Sequence, residues 1–359
     1  MKTVKIFFLA FNILYCSMSA FGQNTIKGVT AEMNYGFLIA HRNVMSHLPY
    51  DHIYNFRLGG VFHTNGSHQW HHDFNFPEFN LGINYLELGN KEILGESFGF
   101  EGGVYFPFFR KKGWSLGTQL NAGVAFVTKH YDIISNPKNN AIGSRINYLI
   151  TLNLRAEKQF GRNAIGLNIQ ASHLSNGAFK MPNLGLNLPM IGLHYTRYFD
   201  DIQFKNDSVI DRFDKDWKPW RFYSQLIVSS KQIYPAGGKN YLVLAMNHHL
   251  HYKFRNKFIL EGGFDLIYNQ SISRDLGIVV KESKNIQMGV YAAYVLPVHK
   301  FEFIVGVGAY VYNPLNPLGY LYKRFGGRFR IWNQLWGNIT IKSHWFKADY
   351  FEYGLIYRW

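Results

Sequence analysis

Cysteine, charge and long apolar runs are all scarce in this sequence. There is one cysteine, Cys16, so the chain can form no internal disulfide and its fold must depend on packing and hydrogen bonds. Charged residues make up only 17% of the 359 positions against 47% hydrophobic ones, which excludes a disordered chain. No run of about 20 apolar residues occurs, which excludes a transmembrane helix.

The first 22 residues have the pattern of a secretory signal peptide. Lys2 and Lys5 precede an apolar run from Ile6 to Tyr15, and the small residues Ala20 and Gly22 follow it. We expect cleavage after Gly22, which also removes Cys16 and leaves 23–359 as the mature, exported chain. The full chain carries a net charge of +15, and most of this excess remains after cleavage. For an exported protein this charge favours a phosphorylated lipid surface as partner over nucleic acid.

Aromatic residues reach 18%, and apolar and polar residues alternate with a period of two in long segments. Both features favour strands, because aromatic and branched side chains pack well on a pleated surface. Segments of this kind are longer than the strands of a soluble sandwich, and their polar face is rich in small residues, as in a barrel lumen. The clearest examples are 114–126, 144–157, 242–254 and 339–345.

The spacing of these segments predicts an all-β protein, an antiparallel transmembrane β-barrel of the outer membrane. We count about 16 strands, with 12 or 14 as alternatives, and expect 23–359 to form a single barrel domain. Short turns at 110–113 and 161–163 alternate with longer loops at 129–142, 174–186 and 271–284, as in outer-membrane barrels. No domain boundary is visible. The Asp-rich stretch 200–216 is the best candidate for an insertion, but a solvated turn is the more common explanation of such a stretch.

The chain ends with an alternating aromatic segment that closes on Trp359. This pattern resembles the C-terminal signal of outer-membrane barrels. We therefore expect the protein to lie in the bacterial cell outer membrane. We also expect the barrel-assembly machinery to be a partner that recognises Trp359.

Polar residues collect at the outer end of one predicted hairpin. Continuing the alternation of the strand 163–172 places His173 and Ser175 on its apolar, lipid-facing side, and the following strand places Asn187 on the same side. Polar groups that face lipid are energetically unfavourable unless they form hydrogen bonds with one another or have a functional role. One hypothesis is acyl transfer, with Ser175 as nucleophile and His173 as general base. The alternative is a set of interfacial polar residues at the start of a loop.

The stretch 173–187 resembles a known signature. His173-x-Ser175-Asn176-Gly177, followed by Pro182-Asn183-x-Gly185, is similar to the motif of the outer-membrane lipid A 3-O-deacylases, the PagL-like family, whose relatives are also called acyloxyacyl hydrolases. The context Tyr131-Asp132, Asn136 to Asn140 and Ala141 to Ser144 is similar too. The resemblance covers roughly 120–200 and implies hydrolysis of a fatty acyl ester of lipid A by a bilayer-facing Ser-His-Glu triad.

Two features depart from this family. Asn187 stands where the family has Glu, so it can accept a hydrogen bond from the His173 ring but cannot supply a negative charge. The family barrels also have about eight strands, half of our count. The extra strands would enlarge the barrel or add a second function.

Further residues are assigned to substrate handling. Asn176 and the backbone around Gly177 follow the proposed nucleophile, where donors could stabilise an oxyanion, although Asn176 is also a common turn residue. Lys180 and Lys129 lie in outer loops, where they could meet lipid A phosphates, although each by itself is more commonly an ordinary solvated lysine. His63, His68, His71 and His72 cluster near Trp70, but their spacing fits no standard metal site. We expect no cofactor.

Together these observations predict a lipid A deacylase that acts on lipopolysaccharide in the outer leaflet. Two alternatives remain open. The first is a non-catalytic pore or scaffold, which a wide lumen with His173 and Ser175 pointing into it would favour. The second is a phospholipase that uses the same serine and histidine.

Overall fold

Sixteen antiparallel strands make up most of the computed structural model, which describes residues 27–202, 219–255, 257–315, 318–345 and 347–359. The predicted all-β class and the count of sixteen strands are confirmed. The predicted signal peptide and residues 203–216 of the Asp-rich stretch lie outside the described ranges. Within those ranges, no helix is long and apolar enough to cross a membrane.

The first eight strands close into one barrel. Each strand pairs with the next along the chain, and β1 closes the ring against β8, from Gly28 opposite Tyr198 to Gly36 opposite Met190. The strands are β1 Gly28–Gly36, β2 Ile53–His63, β3 Glu78–Glu87, β4 Glu96–Lys111, β5 Trp114–Val127, β6 Ile146–Phe160, β7 Asn163–Ser175 and β8 Leu186–Tyr198.

The remaining eight strands form a second closed barrel, in which β9 pairs with β16. These strands are β9 Trp220–Gln232, β10 Asn240–Arg255, β11 Phe258–Asn269, β12 Ile286–Val298, β13 Phe301–Tyr312, β14 Leu321–Arg330, β15 Leu335–His344 and β16 Lys347–Arg358. Short helices occupy the connections: α1 Gln69–Asp73, α2 Ser271–Asp275 and the 3₁₀ turns Asn43–Met45 and Glu282–Asn285.

The expectation of a single barrel is therefore corrected to two barrels of eight strands. The physical reason is edge pairing. The free edge of β8 is taken by β1, so no edge is left for β9, which pairs instead with the last strand of the chain. The first barrel alone then has the eight strands of the family that the sequence resembles. The loop segment 177–182, between β7 and β8, groups with the second unit of the chain.

The strands keep the predicted alternation between an apolar outer face and a polar lumen. In β7, Ile165, Leu167 and Ile169 are more than half exposed, while Asn168 and Gln170, which alternate with them, are buried. An exposed apolar outer face of this kind is suited to contact with the hydrocarbon core of a bilayer.

Buried ion pairs cross the lumen of each barrel. In the first barrel, the Arg57 guanidinium donates to Glu32 over 2.9 Å and to Glu101 over 2.8 Å. In the second, Arg324 binds Glu352 over 2.6 Å and lies 3.2 Å from Asp265. These side chains are almost completely buried, so the described lumens hold packed, paired charges where a pore would hold water.

Candidate active site

The β7–β8 hairpin brings His173 and Asn187 directly opposite each other in the first barrel. Both follow the register of the outward, apolar residues of their strands, as the sequence predicted. Their side chains meet, with His173 Nδ1 2.7 Å from Asn187 Oδ1. An amide oxygen only accepts hydrogen bonds, so Nδ1 is the nitrogen that carries the proton. The other nitrogen, Nε2, is then left with a lone pair that can act as a base.

Gly185 makes room for the His173 ring. A Cβ at this position would lie 2.8 Å from Cε1 and 3.3 Å from Nε2 of the ring, and the backbone has a φ of +76°. Both conditions favour glycine. The Gly185 N–H donates to the Ala141 carbonyl over 3.0 Å, which fixes this close approach.

Ser175 is the last residue of β7 and is buried, with 3% of its surface exposed. It lies on the outward face with His173, which is two residues before it. Its partner in the β6–β7 ladder is Tyr148. Residues two apart on a strand are separated by about 7 Å, and no hydrogen bond between Ser175 and His173 is present in the described chain. Such catalytic contacts commonly tighten only when substrate binds.

Asn176 is held from two sides immediately after Ser175. Its backbone N–H donates to Asn183 Oδ1 over 2.9 Å, and its side-chain Nδ2 donates to Ser144 Oγ, also over 2.9 Å. The proposed oxyanion residue is thus fixed by the loop that follows β7 and by the loop that precedes β6.

The loop between β5 and β6 supports the site through its own internal bonds. Tyr131 N–H donates to the Ile142 carbonyl over 2.7 Å, and Ile142 N–H donates to Asn139 Oδ1 over 3.0 Å. The same loop supplies the Ala141 carbonyl and the Ser144 hydroxyl described above. Ala141 and Ser144 belong to the stretch that the sequence resemblance marked as context, and in the structure they contact the candidate site.

Gly177 and Lys180 belong to the segment that groups with the second unit. Gly177 has a φ of +62°, and a Cβ there would lie 2.1 Å from the ring of Phe351, so the position requires glycine for packing. Lys180 is exposed. Their roles with an oxyanion and a phosphate stay predictions.

Sequence reasoning missed His41, which follows β1. Its Nδ1 lies 3.1 Å from Asn187 Nδ2. Backbone pairing explains this contact, because Ile39 forms an isolated bridge with Asn187 and its N–H donates to the Asn187 carbonyl over 3.0 Å. No local motif identifies His41, since it reaches the site only when β1 closes the barrel on β8.

One cluster among the described residues has the composition of a metal site. His249, His251 and Glu261 lie together in the lumen of the second barrel, with their ligand atoms within 4.8 Å of one another. The Glu261 carboxylate already accepts hydrogen bonds from Arg328 and Tyr291. A cation would have to displace the guanidinium, so this cluster is better explained as a buried ion-pair network.

Two family models match the chain. The model described as lipid A 3-O-deacylase (PagL) matches residues 54–196, which span β2 to β8. The model described as acyloxyacyl hydrolase, C-terminal domain, matches residues 220–359, which contain the whole second barrel. No curated protein matches the chain.

Several solved structures are similar. The crystal structure of the outer membrane enzyme PagL is 16% identical, with 47% of this chain and 99% of that chain covered and a TM-score of 0.32. Neisserial surface protein A is 11% identical, with coverages of 48% and 96% and a TM-score of 0.31. A mutant of the Rh. blastica porin is 9% identical, with coverages of 92% and 99% and a TM-score of 0.23.

Each family model matches one of the two barrels. The match in the first barrel includes Ser175, His173 and Asn187. The first barrel matches the lipid A 3-O-deacylase model and the second matches the acyloxyacyl hydrolase C-terminal model, so the predicted resemblance to this hydrolase family is confirmed.

Proposed function

We propose that this protein is an outer-membrane esterase that removes an ester-linked fatty acyl chain from lipid A, with Ser175 as its nucleophile. The observation that carries the proposal is the His173–Asn187 hydrogen bond on the outward face of the first barrel. It sets the His173 tautomer that a general base needs, two residues from a serine. A lipid substrate would reach this face directly from the outer leaflet.

The reaction follows from the roles of the residues. Ser175 Oγ attacks the ester carbonyl while His173 Nε2 takes the hydroxyl proton, and the oxyanion draws hydrogen bonds from the Asn176 and Gly177 region. The sugar alkoxide then leaves with the proton from His173, and an acyl-serine remains. Water, deprotonated by His173, attacks this ester to release the fatty acid and restore Ser175.

Asn187 has the role of the third triad member without its charge. It accepts from His173 Nδ1 over 2.7 Å and so keeps the ring in the reactive tautomer. It cannot stabilise the imidazolium electrostatically, and we therefore expect a slower enzyme than one with a carboxylate at this position. Lys180, which is exposed in the loop after β7, is assigned to the lipid A phosphates.

The decisive experiment is mass spectrometry of purified lipid A after incubation with the refolded protein. Wild type should release one acyl chain, and Ser175→Ala should release it at least about a thousandfold more slowly. Ser172→Ala is the matched control, because Ser172 lies on the same strand but faces the lumen, where it bonds Thr151 and Gln170. Unchanged lipid A from a folded wild-type barrel would contradict the proposal.

A phospholipase with the same residues is the second candidate. The same incubation with phosphatidylethanolamine vesicles distinguishes the two substrates. Preference for lipid A would support the deacylase, and faster release from the phospholipid would replace it with the phospholipase. The non-catalytic pore loses support because paired, buried charges occupy both lumens, and His173 follows the outward face.

The proposed location is the bacterial outer membrane, reached through the predicted signal peptide. Trp359 is proposed as the contact with the barrel-assembly machinery. In the folded protein its indole N–H donates to Ser224 Oγ over 3.1 Å, which fixes the end of the last strand against β9.

A further inference from the structure

Asn187 uses both ends of its side-chain amide. Its Oδ1 lies 2.7 Å from Nδ1 of His173, and its Nδ2 lies 3.1 Å from Nδ1 of His41. The two histidines come from different strands or strand ends, β7 and the residues after β1, and Asn187 on β8 lies between them. Strands β7 and β8 and the segment after β1 thus contribute one side chain each to a single hydrogen-bonded row.

The chemistry of the amide gives the two rings opposite tautomers. Its oxygen only accepts, so His173 carries its proton on Nδ1 and leaves Nε2 as the base. Its nitrogen only donates, so Nδ1 of His41 must be without a proton and accept. Rotation of the amide by half a turn would reverse both bonds. The Asn187 nitrogen would then donate to His173 Nδ1, and the proton of His173 would move to Nε2, where it blocks base catalysis.

A carboxylate at position 187 would not face this choice, because both of its oxygens accept. An asparagine has two unlike ends and needs something outside the His173 pair to select between them. His41 can do so with its own proton on Nε2, because its Nδ1 then only accepts. Its approach is fixed by backbone bonds, from Ile39 N–H to the Asn187 carbonyl over 3.0 Å and from His41 N–H to the Ile39 carbonyl over 3.0 Å.

We propose that His41 is a positioning residue that holds the Asn187 amide with its oxygen toward His173, and so keeps His173 in the tautomer that can deprotonate Ser175. This inference rests on the proposed esterase function. His41 itself touches neither the serine nor the reacting ester in this scheme and acts only through Asn187.

The first test is nitrogen NMR of histidine-labelled protein in detergent micelles, which needs no substrate. In the wild type we expect His173 with its proton on Nδ1 and His41 with its proton on Nε2. His41→Leu removes the acceptor, and we expect His173 to become a mixture of both tautomers. His41→Asp places a carboxylate oxygen, which only accepts, near the position of Nδ1 and should restore the single His173 tautomer. An unchanged His173 in His41→Leu would overturn the proposal.

The second test is a double-mutant cycle on the rate of lipid A deacylation. We expect His41→Leu to lower kcat about tenfold with little change in KM, and His41→Asp to stay within about twofold of wild type. In an Asn187→Asp background, His41→Leu should change kcat by less than about twofold, since the carboxylate needs no orienting partner. His52→Leu is the control, because His52 lies at the end of the same loop and packs against the Tyr35 ring instead.

The outcomes separate the two proposals. An equal loss from His41→Leu in both backgrounds, or an equal loss in His41→Asp, would make His41 a merely structural residue. If wild type leaves lipid A unchanged, the esterase proposal fails, while the NMR experiment still decides whether His41 sets the His173 tautomer.

Discussion

His173 and Asn187 face each other across the β7–β8 ladder and share a hydrogen bond of 2.7 Å on the outward side of the barrel. A strand pair is a rigid support for such a contact, because the backbone ladder fixes the separation of both Cα atoms. The amide provides orientation but no charge. How much the missing charge matters can be measured at this one position.

Asn187→Asp should raise the deacylation rate. The carboxylate keeps the acceptor in place and adds a negative charge beside the imidazolium that forms in the transition state, which we expect to be worth about tenfold in kcat. The measurement is initial-rate kinetics on lipid A in detergent. Asn183→Asp is the control, since it adds the same charge in the neighbouring loop, where residue 183 accepts from Asn176 N–H. An equal gain in Asn183→Asp would show that an added negative charge anywhere in this region, rather than the contact with His173, raises the deacylation rate.

Gly185→Ala should lower activity by at least about tenfold through the His173 ring. The added Cβ would lie 2.8 Å from Cε1, so the ring must move away from its position. Gly161→Ala separates this clash from backbone strain, because Gly161 also has a positive φ, +57°, but nothing within 4 Å of the new Cβ. We expect the control to keep its rate within about twofold. Similar losses in both variants would point to folding as the cause.

Arg57→Met should destabilise the first barrel strongly. It leaves the buried carboxylates of Glu32 and Glu101 without their guanidinium, a change that typically costs about 3–5 kcal/mol. Urea unfolding in detergent, followed by tryptophan fluorescence, measures this. Arg162→Met breaks the exposed pair with Asp201 and should cost less than about 1 kcal/mol. Equal effects would show that the lumen network adds no more than a surface ion pair.

Acid should loosen the turn at Asp132 in the loop between β5 and β6. The Asp132 carboxylate accepts from the backbone N–H groups of Ser135 and Ile134 over 2.8 and 3.0 Å, and these bonds lower its pKa below the ordinary value of 3.8. A lowered folded-state pKa stabilises the turn above the ordinary pKa, and this contribution is lost as the pH falls through the lowered value.

Pepsin cleavage at the exposed Ile133–Ile134 bond tests this expectation. Between about pH 5 and about pH 2, the cleavage rate of wild type should rise more than that of Asp132→Asn, which lacks the charge at both values. The ratio of the two proteins removes the pH dependence of pepsin itself. The same ratio at both pH values would contradict the role of the carboxylate.

The sequence predicted the strands and the outward face of the site because both are local. A period of two in β7 and β8 assigns His173, Ser175 and Asn187 to the face of Ile165 and Ile191 whichever way the barrel closes. Closure itself is not local. The sequence pattern of the hairpins is the same in one barrel of sixteen strands as in two barrels of eight. The pairing of β1 with β8, which closes the first barrel, joins residues that are far apart in the chain.

His41 escaped prediction for the same reason. It lies 146 residues from Asn187 in sequence and meets it only through the closing pair of strands. The Asp-rich stretch 200–216, considered as an insertion, lies between the last strand of one barrel and the first strand of the next. Together with the eight-strand size of the resembling family, it was the available signal for two domains.

The nucleophilic role of Ser175 is the central claim, and a long-chain alkyl fluorophosphonate tests it most directly. Refolded protein is treated with the reagent, digested and analysed by mass spectrometry for the modified peptide. We predict one adduct, on Ser175, which persists in Ser172→Ala and disappears in His173→Leu, because the base that activates the hydroxyl is gone. Folded wild-type protein that stays unmodified, or an adduct on another serine, would contradict it.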